Sequence, residues 1–150
     1  MPSNFKYRSG ISSAGAYQVS GVPYMSGSNA TIAGTNTVSY KVEFPYITQW
    51  ITIENTHGSN DLRVGFSDFG VRGLSGPTPH DKTSYIVLPA RVAGRDLSRI
   101  TLNVRVKDIY LSCDHATNTA TAQIAAGVTM VPREELTGTY DNWSGSAGVG

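Results

Sequence analysis

A single cysteine, Cys113, stands in this 150-residue chain, so no intrachain disulfide can form and a disulfide framework is excluded. A lone thiol fits folding in a reducing compartment. Long hydrophobic runs are also missing: no stretch approaches the roughly 18 consecutive apolar residues of a membrane-crossing helix, so no membrane span is expected. The first residues, MPSNFKYRSGISSAGAY, lack the apolar segment of a signal peptide, and the expectation is a chain made without a secretion signal. Charge is scarce as well. Asp, Glu, Lys and Arg make up 15% of the residues, against about 25% in an average domain. The net charge is +1 with both signs interspersed. No basic stripe forms and no nucleic-acid binding is expected; little charge suits a surface covered by neighbours. Sustained helical periodicity is the last absence, which removes helix bundles and alternating α/β folds.

What is present is turn and strand chemistry. The chain carries 16 Gly, 7 Pro and 8 Tyr, with many Thr, Ser, Asn and Val, residues that favour strands and tight turns. Its length suits one core that buries roughly two thirds of the surface the unfolded chain exposes. Val38, Tyr40, Val42 and Phe44 alternate with Ser39, Lys41 and Glu43, the period of a half-buried strand. After Pro45, Ile47, Gln49, Ile51 and Ile53 alternate with Thr48, Trp50, Thr52 and Glu54, so Trp50 is expected to point away from the isoleucine face. Ile100, Leu102, Val104 and Val106 keep even parity, then Ile109, Leu111 and Cys113 take odd parity. A slip at Lys107 and Asp108 demands a bulge or corner, because one residue of slip turns every side chain over. The last strand places Ala122, Ile124, Ala126, Val128 and Met130 on one face. Its other face, Thr121 to Val131, is small-residue surface that admits a close backbone.

Eight strands are therefore predicted near residues 17–24, 38–44, 47–54, 62–67, 84–89, 100–106, 108–113 and 120–131, packed sheet on sheet. Tyr17, Val19 and Val22 anchor the first, and Ile86 and Leu88 the fifth. Val42, Phe44, Ile51, Ile53, Val64, Phe66, Leu102, Val104, Ile109, Leu111, Ile124 and Val128 form the expected core. Residues 1–16 read as an extended arm with too little apolar surface to order alone. Residues 17–136 form the packed domain, and residues 137–150 a Gly/Ser tail whose Tyr140 and Trp143 suggest docking. Residues 67–83 lack a sustained period and read as a long excursion.

No catalytic, cofactor-binding or metal-binding residue emerges. Cys113, Asp114 and His115 set a nucleophile near a base, but such chemistry also needs an oxyanion hole and a positioned third group; the expectation is a core thiol leading into a polar turn. His57 and His80 stand alone in turn-like segments without ligand spacing. Residues 70–76, GVRGLSG, lack the Lys-Ser/Thr ending and following helix of a phosphate loop. Asp61, Asp68 and Asp81 could meet at calcium, yet show no twelve-residue ligand pattern. The sequons at Asn29 and Asn142 matter only along a secretory route.

The stretch IYLSCDHATNTATAQIAAGVTMVP, residues 109–132, resembles the end of single jelly-roll penton, or vertex, and minor capsid proteins of large icosahedral double-stranded DNA viruses. The resemblance lies in Ile109 to Leu111, in Ala126-Gly127-Val128-Thr129 leading to Pro132, and in Leu136-Thr137-Gly138, and it covers about the last third of the chain. It implies an all-β, single eight-stranded jelly-roll sandwich of two four-stranded antiparallel sheets. It further implies a structural homopentamer at fivefold vertices of a virion, contacting neighbouring major and minor capsid proteins and made in the host cytoplasm or nucleus. In that fold alternate connections gather at one end, so residues 25–37, 55–61, 90–99 and 114–119 should share a rim. The alternative is a carbohydrate- or receptor-binding module, a lectin-like domain or spike head, using Trp50 with Tyr46 or Trp143 with Tyr140. An esterase or lyase has least support, since no acid, base and nucleophile set can be named.

Overall fold

The computed structural model describes residues 22–27, 31–73, 84–92 and 97–136. Eight strands run through them: β1 (Val22–Ser26), β2 (Tyr40–Glu43), β3 (Tyr46–Asn55), β4 (Leu62–Gly65), β5 (Tyr85–Leu88), β6 (Arg99–Leu102), β7 (Asp108–Cys113) and β8 (Ala122–Pro132). One short helix, α1 (Asp68–Arg72), follows β4, and a 3-10 turn (Arg133–Glu135) follows β8. The strands form two four-stranded sheets, β1-β8-β3-β6 and β2-β7-β4-β5. Every neighbouring pair is antiparallel. Apart from β4 to β5, each strand crosses to the other sheet, and this order is the jelly roll.

The corners explain the sequence pattern. Pro45 ends β2, and there Phe44 N–H donates to Lys107 O at 2.9 Å. Thr48 N–H donates to Val106 O at 3.0 Å, while Thr48 Oγ1 donates to Val104 O and accepts from Val106 N–H. The expected parity slip at Lys107 and Asp108 is thus the corner where the chain leaves the first sheet for the second. At the opposite end the connections gather as expected. Ile32 and Ala120 exchange backbone bonds, Thr35 N–H reaches His115 O, Asn55 N–H reaches Ser98 O, and Arg91 N–H reaches His57 O.

Between the sheets lie Val42, Phe44, Ile51, Ile53, Val64, Ile109, Leu111, Ile124 and Val128, all buried as expected. Tyr24 meets Phe44 edge to face at 5.0 Å, within the 4.5–7 Å range of favourable aromatic pairs. Phe66, Leu102 and Val104 are only half-buried. Leu102 and Val104 belong to the edge strand β6 and its exit, and Phe66 lies beyond β4, so each has fewer neighbours than a central position.

Several expected facings fail at the sandwich edges. Val38, just ahead of β2, is 76% exposed, and Tyr40, Val22 and Ile86 are also exposed, because β1, β2 and β5 each lack a neighbour on one side; Met130 is exposed where β8 runs on past the Val22–Ser26 span of β1. On β3 and β8 the registers shift between Tyr46, Thr48 and Trp50. That irregularity buries both Ile47 and Thr48, and both Val128 and Thr129, where strict alternation expected one of each pair. Tyr17 and Val19 lie outside the described residues, as do residues 1–16 and 137–150. β1 itself runs on to Ser26, beyond its expected end.

Residues 67–83 hold an unexpected helix. Ser67 Oγ caps α1 by accepting from Gly70 N–H at 3.1 Å, and Gly73 at φ 72° closes it, the left-handed position that glycine takes without strain. α1 packs against β4 so closely that a Cβ on Gly65 would meet Val71 Cβ at 3.0 Å. Roofed in this way, β7 is buried along its whole length, although only Ile109, Leu111 and Cys113 face the core.

Candidate functional surfaces

Three regions carry polar chemistry, and each grows out of the strand order. The first is the outer face of the β1-β8-β3-β6 sheet. Ile51, Ile53, Ala126 and Ile124 point into the core, so their neighbours point out in rows. Gly127 stands opposite Trp50. In the next row Met25, Ala125, Thr52 and Thr101 stand side by side, and beyond them Gln123, Glu54 and Arg99. The Thr52 and Thr101 hydroxyls share a 2.8 Å hydrogen bond. All of these last two rows but Thr101 line a shallow groove of about 350 Å³.

The small-residue face of β8 is accounted for within the chain. A Cβ on Gly127 would clash with Trp50 Nε1 and lie 2.8 Å from Cε2, so the half-buried indole fills the space that sequence reasoning left for a neighbouring backbone. Trp50 does point away from the isoleucine face, as expected. Tyr46 packs against the core. The register shifts between them put the two aromatics on different faces, and they form no common stacking platform.

A buried ionic corner is the second region. Asp108 is almost wholly buried. It accepts from Arg133 Nη2 at 2.9 Å and lies 3.5 Å from Lys41 Nζ, which also pairs with Glu43 at 3.0 Å. Arg133 Nη1 donates to Phe44 O at 2.7 Å, and Lys107 Nζ to Leu136 O at 3.1 Å. Burial presses the Lys41 ammonium down, but the Glu43 hydrogen bond and the Asp108 and Glu43 charges outweigh it and hold it above the ordinary lysine value. The hydrogen bond from Lys41, with the Lys41 and Arg133 charges, holds the Glu43 carboxyl below its ordinary range. The corner fastens residues 133–136 to the ends of β2 and β7.

The rim is the third. Cys113 is buried in the core, and burial, with Asp114 and Asp61 nearby, pushes its thiol up. His115 is exposed, and its Nδ1 accepts from Thr117 N–H and Asn118 N–H, both at 3.2 Å. His57 does the same one connection away, with Nδ1 accepting from Ser59 N–H at 3.2 Å and Asn60 N–H at 3.0 Å. The two turns are joined: Asn60 Nδ2 donates to Thr119 O at 2.7 Å, and Asn118 Nδ2 lies 3.5 Å from Asn60 Oδ1. From the sequence, His57 stands alone in a turn-like segment. The missed signal was the recurrence of one pattern, His57-Gly58-Ser59-Asn60 and His115-Ala116-Thr117-Asn118.

The carboxylates do not converge. Asp61 Oδ1 accepts from Ala90 N–H at 2.8 Å. Asp68, at the other end of β4, accepts from Ser39 N–H at 2.8 Å and Ser39 Oγ at 2.6 Å. Asp81 and His80 lie outside the described residues, as do Trp143 and Tyr140. Among the described residues no three His, Cys, Asp or Glu side chains are grouped to hold a metal, and no helix is long and apolar enough to cross a membrane. Gly70 and Gly73, the described part of the glycine-rich segment, serve as a helix residue and its cap. Set against family models, curated proteins and solved structures, the chain finds no match in any of the three.

Proposed function

We propose that this protein is a structural capsid component, the penton subunit that forms homopentamers at the fivefold vertices of an icosahedral double-stranded DNA virus. The observation that carries this reading is the placement of exposed apolar side chains on a jelly roll. The sheet orders put β1 and β2 at one side of the sandwich and β5 and β6 at the other. The first side exposes Val22, Met25, Val38 and Tyr40; the second exposes Ile86 and Val87, with Val92 and Leu97 on the connection between its strands. Two unlike apolar sides suit a heterologous contact, and a heterologous contact whose rotation closes makes a ring. The role is structural rather than catalytic, in keeping with a thiol sunk in the core and imidazoles engaged in turns. Neighbouring major and minor capsid proteins are the partners, and the N-terminal arm, residues 1–16, orders against a neighbouring subunit or an underlying capsid protein.

The test is to image assembled particles and find the density this chain fills. Density away from the vertices removes the penton reading. Deleting residues 1–16 should leave the fold intact and impair assembly.

A second reading, a carbohydrate- or receptor-binding module, is favoured by the groove beside Trp50, where Thr52, Glu54, Arg99 and Gln123 offer hydrogen-bonding groups. A glycan array that stays blank while particles incorporate the chain decides against it.

A further inference from the structure

We infer that the rim is a proton-sensitive clasp, in which His57 and His115 hold two neighbouring connections closed only while both imidazoles are neutral. This goes beyond the assembly reading and does not depend on it. Main-chain N–H groups can only donate. Each Nδ1 that receives two of them must therefore present a lone pair, and the ring proton of the neutral imidazole sits on Nε2. Four amides depend on this arrangement: Ser59 and Asn60 on His57, Thr117 and Asn118 on His115. A proton arriving at Nδ1 turns the acceptor into a donor facing two donors. The ring must then leave, and its turn loses both bonds.

The two turns fail together because they are coupled. Asn60, whose N–H is held by His57, supplies the bond to Thr119 O that ties one connection to the other. Asn118, held by His115, faces the Asn60 carboxamide. His115 O in turn accepts Thr35 N–H and His57 O accepts Arg91 N–H, so all four connections of the rim lean on these two residues.

Among the described residues, two of the carboxylates near the rim are engaged elsewhere. Asp61, at the start of β4, accepts from Ala90 N–H. Asp114, after β7, takes Arg63 Nε, and the Arg63 guanidinium lies 4.2 Å from the Tyr85 ring. Glu54, near the end of β3, stands opposite Gln123 and Arg99, and Arg91 lies on the connection from β5. Residues 31–37 bring no charge. Among the described residues no carboxylate pairs with either imidazole, so none of these residues compensates a proton taken up there. The same tautomer argues against a metal role. Binding a cation through Nε2 would move the ring proton to Nδ1 and break the same four bonds.

The test uses the whole chain and nitrogen-15 NMR. At pH 7.5 both imidazoles should show the Nε2–H tautomer. As the solution is then acidified, protection of the Ser59, Asn60, Thr117 and Asn118 amides from exchange should fall by up to about tenfold per pH unit, the slope of an opening tied to one proton. Amides of Ile53 and Leu111 should keep theirs. The variants His57→Asn and His115→Asn supply a side-chain oxygen that holds the turn without titrating, so each should lose the pH dependence at its own turn. An Nδ1–H tautomer at pH 7.5, or protection that does not change with pH in the parent chain, overturns the clasp without any variant. Unchanged pH dependence in the asparagine variants overturns it as well.

Discussion

Replacing Gly127 by Ala tests whether the outer face of the first sheet is closed by the chain itself. The backbone at Gly127 is not in the left-handed region, so alanine meets no conformational strain, and the nearest obstacle is the Trp50 indole. The new Cβ would sit 2.8 Å from Cε2 and 2.9 Å from Cδ1, where carbon pairs settle at about 3.5–4.0 Å. The ring must therefore shift by roughly 1 Å, an overpacking that costs about 1–3 kcal/mol. Trp50→Ala removes the obstacle and, with it, the cover of a half-buried indole. About 100 Å² of lost burial at 25 cal/mol/Å² is ~2.5 kcal/mol. The double variant should then be no less stable than Trp50→Ala alone, since alanine in place of glycine also restricts the unfolded chain by ~0.4–1 kcal/mol. Urea denaturation followed by far-ultraviolet circular dichroism gives the four stabilities of the cycle, and the emission of Gly127→Ala should shift to the red as the indole is lifted. Penalties that add to within about 0.5 kcal/mol would refute the contact.

The core makes a graded prediction: Ile51→Ala should cost ~2–5 kcal/mol by thermal or urea melts, whereas Leu102→Ala, half-buried on an edge strand, should cost about half as much; equal losses would mean that the two strands are buried alike. At Gly34 a Cβ would strike main chain, lying 2.5 Å from Ala116 O and 2.6 Å from Ala116 C, so Gly34→Ala should lose at least the roughly 1–3 kcal/mol of overpacking and raise exchange at Thr35 and Asn36; a neutral outcome contradicts the packing. Burial pushes the Asp68 carboxyl up, but Ser39 and Arg72 more than offset this and hold it below the ordinary range. Its contribution is therefore present above the unfolded carboxylate value near 3.9 and lost as pH falls through the folded one. Asp68→Asn should be less stable than the parent at pH 7, and the gap should close as pH falls through the lowered folded value; a gap unchanged by pH rejects this. Cys113, buried and with its thiol pushed up, should react with a disulfide reagent at pH 8 only as fast as the fold opens, and labelling at the rate of a free thiol would contradict its place in the core.

Central strands were legible in the sequence and edges were not. Ile51 and Ile53, or Ile109 and Leu111, face a full layer of neighbours, so alternation alone gives their facing. Val38, Tyr40 and Ile86 obey the same alternation, yet sit where a sheet stops, and periodicity carries no information about how many strands lie beyond. α1 was hidden because five residues with Gly70 among them make too short a pattern, and only the Ser67 cap and Gly73 stop mark it. The small face of β8 was visible, but its occupant, Trp50, stands 77 positions away in sequence beside Gly127, a distance no local pattern spans. The rim turns were within reach: two copies of one four-residue pattern stood in the sequence, and only the bonding role of an imidazole nitrogen was missing.

The strand order also governs when this molecule can come into being. β1 pairs with β8 alone, and β8 also lies between β1 and β3. In the other sheet β7 separates β2 from β4. During synthesis β1 and β2 therefore wait without their native partners until the last two strands emerge, whereas β3 can pair with β6 and β4 with β5 before then. Such non-local closure is slow and leaves sticky edges exposed in the interval. A nascent chain of this topology can complete its two sheets only when β7 and β8 emerge, and the period before that moment is when a chaperone has most to protect.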